Sequence, residues 1–229
     1  MEIIYTQINY NDEIENKIFN FDRNKVDMIV LDSLNFVNGK TFESEDDKIK
    51  HFLNEQIKFG NKGLFYDYII TKTGKVYKCT PENKCGTVLN FRYYSEEASI
   101  LLPKYCDQTD GELFKRTKTP DQVVASICIE SDESDPTVSI NSGNINDFEK
   151  ESLEDIIAYY IRENESIGIK KIVNRSCFPK DENLRRNIGH MYYKNNIVRL
   201  ILEISLAARK AKNVSIENIE FSKINTIEL

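Results

Sequence analysis

The chain has 229 residues, 40% of them apolar, enough to bury a substantial core as a single domain. Its net charge of −6, with 31 basic residues spread among 37 acidic ones, argues against a nucleic-acid-binding surface, which needs clustered Lys and Arg. No apolar run approaches the roughly 20 residues of a membrane span, and Met1 to Tyr10 lacks a basic start followed by an apolar stretch. The expectation is a soluble product made in the cytoplasm without a signal peptide.

In chain order, Asp27-Met28-Ile29-Val30-Leu31 reads as a central strand covered on both faces, its C-terminal end reaching Asp32-Ser33. Ser44 is a good N-cap for a helix that has Glu45, Asp46 and Asp47 in its first turn. This helix places Ile49, Phe52, Leu53, Gln56 and Ile57 at helical spacing until Gly60. Gly63 to Lys78 reads as a β-hairpin. Phe65, Tyr66, Tyr68, Ile69 and Ile70 lead into a Lys72-Thr73-Gly74 turn, and Lys75 to Lys78 alternates polar with apolar. Pro103 to Gln122 reads as a surface insertion or lid, and Val123 to Ile129 as another buried strand.

Ser131 to Asn146 reads as a loop, and the acidic run from Glu130 to Asp135 as solvated, since it lacks the Gly and bidentate Glu of a calcium loop. Leu153, Ile156, Ile157, Tyr160 and Ile161 trace an amphipathic helix packed on a sheet. A short strand, Lys170 to Val173, ends at Asn174. A last helix, about Asn195 to Lys212, is expected to bury Ile197, Leu200, Ile201, Ile204 and Leu206. The tail from Val214 to Leu229 carries Ile216, Ile219, Phe221, Ile224 and Ile227. It suits a strand added to a partner's sheet edge, or one packed back on its own domain. No repeat or linker separates two cores, so residues 1–229 are read as one α/β domain, core about 25–212, with a mixed central sheet flanked by helices.

Cys79, Cys85, Cys106, Cys128 and Cys177 are odd in number and form no CxxC pair, so small core fillers or free thiols are expected. His51 lies inside the early helix and His190 near the C-terminal end, both read as ordinary helix or surface residues.

The hairpin, the Thr80-Pro81-Glu82-Asn83-Lys84-Cys85-Gly86 segment after it, Ser126-Ile127-Cys128-Ile129-Glu130 and Ile172-Val173-Asn174 occur in an order that resembles the type-2 N-acetylmuramoyl-L-alanine amidases, the family that includes the peptidoglycan recognition proteins. The resemblance runs from about Lys25 to Leu184 and implies a mixed sheet with flanking helices. It implies a first zinc-ligand position at Asp32 and an active-site tyrosine at Tyr66, with Asp67 in a neighbouring His or Asn place. Gly86-Thr87-Val88 stands for a Gly-Ala-His motif. The second ligand falls on Asn174, a catalytic lysine on Lys180, and the last ligand on Glu182, with Asp181 as the off-by-one candidate.

This chain therefore resembles a degenerate member: both ligand histidines are replaced, and no other His is placed to take over. Such amidases use a zinc-bound water held by three protein ligands with the fourth position open. Asp32, Asn174 and Glu182 offer oxygen only, a set suited to a hard cation rather than zinc, so neither cofactor nor metal is expected.

Each position also has a plain structural reading: Tyr66 as core, Lys180 as solvated, Asp32 as a turn cap, and Asp181 and Glu182 as the acidic start of a helix. Three functions follow as expectations. The first is an inactive amidase-like domain assembled with other protein subunits of a phage tail or phage-tail-like particle. The second is a module binding peptidoglycan fragments, with Tyr66, Tyr68, Tyr93 and Tyr94 as contact candidates. The third is an active amidase with a rearranged site.

Overall fold

The computed structural model describes residues 3–36, 39–60, 63–88, 119–131, 145–168, 171–174, 202–203, 206 and 225–229. The described elements, in chain order, are β1 (Tyr5–Asn9), α1 (Asp12–Ile18), β2 (Met28–Leu34), α2 (Glu45–Lys58), β3 (Tyr68–Ile70), β4 (Val76–Lys78), a 3-10 turn (Pro120–Val123), β5 (Val124–Glu130), α3 (Asp147–Glu163), β6 (Ile172–Asn174) and β7 (Asn225–Glu228). The strands form one seven-stranded sheet ordered β6-β2-β5-β3-β4-β1-β7. β6, β2, β5 and β3 are mutually parallel, β4 runs antiparallel to β3, and β1 and β7 run parallel to β4. The fold class is thus α/β with a mixed sheet flanked by helices, as expected from the sequence.

The central strands are apolar because both of their faces are covered. Every residue of β5 is buried, as is usual for a parallel strand between two helical layers. Met28, Val30, Ile69, Tyr77, Val124 and Cys128 pack with Ile18 of α1 and with Ile49, Phe52 and Leu53 of α2. The opposite face, Ile29, Leu31, Ile70, Ala125, Ile127 and Ile172, packs with Leu153, Ile156, Ile157 and Ile161 of α3.

Both long helices begin at capped ends. Ser44 Oγ accepts from the Asp47 amide at 3.1 Å, and Asn146 and Glu149 form a reciprocal capping box. Gly74, at φ 82, turns the β3–β4 hairpin in a conformation that L side chains rarely adopt.

Several boundaries differ from the sequence expectation. The hairpin strand starts at Tyr68 rather than Phe65, because the backbone of residues 65–67 turns to other partners: Thr87 N donates to Phe65 O at 2.9 Å, and Asp67 N to Ser126 O at 3.0 Å. β1 and α1 were not anticipated. β1 is mostly polar and buries only Thr6 and Ile8, and parallel pairing on β4 gives it a place in the sheet.

Glu130, expected in a solvated run, is buried at the end of β5. Lys48 Nζ pairs with it at 2.6 Å and the Lys72 amide donates to it at 3.0 Å. The end of the expected surface insertion is also anchored: Thr119 and Asp121 are buried and Pro120–Val123 form a capped turn into β5. Leu206, expected on a buried helix face, is exposed; residues 202, 203 and 206 are helical, and the rest of that expected helix lies outside the described residues.

Cys79, Cys85 and Cys128 are buried free thiols, whereas Cys106 and Cys177 fall outside the described residues. The end of the tail, Asn225–Glu228, pairs as β7 on β1 of its own chain, with Ile227 7% exposed, and the earlier part of the tail lies outside the described residues. Among the described residues no helix is long and apolar enough to cross a membrane.

Candidate functional site

Two consecutive residues, Tyr66 and Asp67, lie at the junction where the chain enters β3, and each reaches a different neighbour. Tyr66 is wholly buried in the cluster under α1 and α2, and its hydroxyl donates to Asp32 Oδ2 at 2.6 Å. Asp32 lies on β2 two residues after Val30, so strand alternation puts it on the same sheet face. Its other oxygen accepts from the Ser33 amide at 2.9 Å. Two of the positions singled out in the sequence, 34 residues apart in the chain, are thus in direct contact. In the parallel pairing of β6 on β2, Asn174 stands in register with Leu31, one residue before Asp32. Lys180, Asp181, Glu182, Tyr93, Tyr94 and His190 lie outside the described residues.

Asp67 is 2% exposed and fully engaged. Its Oδ1 accepts from Thr80 Oγ1 at 3.2 Å and Gly86 N at 3.3 Å, and pairs with the Arg23 guanidinium. Its Oδ2 accepts from Ser126 N at 2.7 Å and Ser126 Oγ at 2.9 Å. Arg23 also donates to the carbonyls of Asp121 and Val124. Burial is the largest influence on Arg23 and opposes its charge, but the Asp67 carboxylate, together with smaller contributions from Tyr160, Cys85 and Asp121, holds the guanidinium above its ordinary pKa.

Gly86 is needed at this point: a Cβ there would lie 2.1 Å from the Phe65 carbonyl oxygen. Thr87 Oγ1 donates to Gly63 O at 2.6 Å and completes the clamp on the hairpin's entry. Arg23 and Ser126 were not singled out as site residues. Ser126 had left a signal, being a lone hydroxyl inside the apolar run Val123–Ile129, which asks for a buried hydrogen-bond partner. Arg23 had left none, because its partner lies 44 residues away.

Of the remaining sequence candidates, His51 lies on the α2 surface beside Lys40 Nζ at 3.0 Å and the Phe42 ring. Among the described residues, no group of three or more His, Cys, Asp or Glu side chains is gathered as a metal cage. Burial pushes the Cys79 and Cys85 thiols well up, which keeps them protonated and unreactive.

No protein-family model matches the sequence, and no curated protein matches it. Among solved structures the chain is similar to PlyL, with 10% identity over 89% of this chain and 97% of that one, at a TM-score of 0.48. It is similar to LysCS, an endolysin N-acetylmuramoyl-L-alanine amidase from Clostridium intestinale URNW, with 13% identity over 80% and 94% of the two chains and a TM-score of 0.42. It is similar also to the Staphylococcus aureus hydrolase AmiA, with 9% identity over 93% and 88% and a TM-score of 0.45. These are likenesses of chain path, at identities that carry no residue roles across.

Proposed function

We propose that this chain is an amidase-like domain without amidase catalysis, serving as a structural or assembly component among other protein subunits, in a bacteriophage tail or phage-tail-like particle. The observation that carries the non-catalytic reading is the 2.6 Å hydrogen bond from Tyr66 to Asp32. The sequence resemblance implies a zinc-ligating imidazole at the position of Asp32 and a cleft tyrosine at Tyr66. Here the two side chains are hydrogen-bonded to one another, and the second carboxylate oxygen accepts from the Ser33 amide.

The residues do not fit a zinc ion. Zinc sites of this kind draw their affinity from imidazole and thiolate, while Asp32, Asn174 and Glu182 supply only carboxylate and amide oxygens. Tyr66 is no substitute activator, because its proton is directed at Asp32 and its ring is buried. The same burial weighs against Tyr66 as a stacking platform for a peptidoglycan fragment. Among the described residues the sheet, its flanking helices and the hairpin clamp are nevertheless in place, which supports a role for the fold as a surface and a spacer.

Metal analysis of protein purified metal-free and then offered zinc is expected to find far less than one zinc per chain. Purified cell walls are expected to release no N-terminal L-alanine above a buffer control. Stoichiometric zinc, or release abolished by Tyr66→Phe, would overturn the non-catalytic reading. Mass spectrometry of gradient-purified particles is expected to find the chain among the structural subunits, and its absence would sink the particle assignment.

A further inference from the structure

Away from Asp32 and Tyr66, on the α3 side of the sheet, β3, β4 and β1 bring Tyr68, Lys78 and Gln7 into one row, with Tyr68 paired to Lys78 and Lys78 to Gln7. Residues paired across neighbouring strands project from the same face. The row belongs to the lining of a cleft of about 990 Å³. One wall is the loop Pro81 to Lys84, and another is the last part of α3, where the Tyr160 ring meets the Tyr68 ring edge-on at 6.2 Å.

Lys78 sets this cleft apart. Among the other partly buried lysines, Lys48 pairs with Glu130 at 2.6 Å, Lys75 with Asp46 at 2.5 Å and Lys171 with Asp27 at 2.5 Å. Lys78 is half-buried, yet among the described residues no carboxylate pairs with its ammonium, and Arg23 beside it is committed to Asp67. Burial draws the Lys78 pKa down, against the smaller opposing pull of Glu82 and Asp67. A desolvated cation without a partner favours an anion brought in from solution. Glu15, Glu82 and Glu163 line the cleft as Lys25 and Lys84 do, and Glu82 acts directly on Lys78, so a polyvalent anion would meet like charge beside the ammonium and a single carboxylate is favoured.

We propose that this cleft binds a small ligand bearing one carboxylate, held by Lys78, with the body of the ligand against the tyrosine rings. Such a group comes from the C-terminus of a short peptide or from an acidic sugar. The inference stands independently of the non-catalytic reading, since it uses none of the same residues.

The test is calorimetric titration of the full chain with three probes: N-acetyl-Ala-Ala, its C-terminal amide and glucuronate. At least one carboxylate probe is expected to bind, with the peptide amide about tenfold or more weaker than the peptide acid if the source is peptide. The tighter of the two acids identifies the source. Lys78→Gln is expected to weaken the acid about tenfold, while Lys58→Gln, on the far exposed surface of α2, leaves it unchanged. Carbon-13 NMR should show the Lys78 pKa rising when the acid is bound. The proposal is overturned if neither acid binds, if the peptide acid is the tighter acid and its amide binds equally well, or if Lys78→Gln retains the circular dichroism of the native chain and full affinity.

Discussion

Asp67 and Asp32 are both carboxylates at the heart of the sheet, and they are held in different ways. Asp67 is 2% exposed, carries a guanidinium partner and accepts from the Thr80, Gly86 and Ser126 groups. Asp32 is half-buried; it accepts from the neutral Tyr66 hydroxyl and from the amide of its own neighbour. The first ties the segment before β2, the entry to β3, the loop after β4 and β5 into one unit. The second ties β2 to the Tyr66 ring. A buried charge with that many donors is part of how the chain folds, whereas the half-buried Asp32 meets Tyr66 through a neutral hydroxyl.

The sharpest way to break this contrast is Asp67→Ala. It leaves the Arg23 guanidinium buried without its countercharge, and the expected loss is about 3–5 kcal/mol of unfolding free energy. Urea denaturation followed by circular dichroism measures it, and a loss below about 1 kcal/mol would mean that the network is ornamental. Arg23→Met should cost less, about 2–3 kcal/mol, because four neutral donors remain to hold Asp67. The double variant should cost clearly less than the two single losses added together. Strict additivity would show that the two groups act through different contacts.

How much of this was legible in the sequence follows the range of the interactions. Strands β2 and β5 and helices α2 and α3 carry apolar periodicity or caps within a dozen residues, and they lie where the pattern placed them. Tyr66 and Asp32, both placed by the order of motifs, are in contact. Arg23 was invisible because its partner is distant in the chain and arginine is a common surface residue. Glu130 misled for a related reason: its acidic neighbours in sequence suggested solvent, while Lys48 and the Lys72 amide, far off in the chain, keep it buried. β1 was hidden by polar composition, since only Thr6 and Ile8 of its residues are buried. In each case the deciding partner is supplied by tertiary structure.

On the Asp32 side of the comparison, Tyr66→Phe removes one hydroxyl and keeps the ring. The expected cost is about 1 kcal/mol, the net worth of an ordinary hydrogen bond. A loss of more than about 3 kcal/mol would make Tyr66–Asp32 as structural as Arg23–Asp67 and erase the distinction between the two carboxylates.

A third carboxylate sets the scale at the small end. Glu149 is buried at the start of α3, and its desolvation raises the pKa despite the Asn146 amide at 2.9 Å and the Lys72 ammonium at 3.5 Å. Because the folded chain keeps this proton to higher pH than the unfolded chain does, the native state binds more protons between the two values. The Glu149 contribution to stability is therefore fully present below the unfolded value, near 4.5, and is lost as pH rises through the folded one. Glu149→Gln keeps an oxygen for the Asn146 amide and abolishes the titration. Relative to the native chain, the variant should gain stability as pH is raised from about 4 to 7, by less than about 1 kcal/mol, since Lys72 offsets part of the charge. Urea midpoints taken across that range decide it: a gap that stays flat with pH, or one that moves in favour of the native chain, would show that Lys72 fully compensates the buried charge and that Glu149 belongs with Asp67.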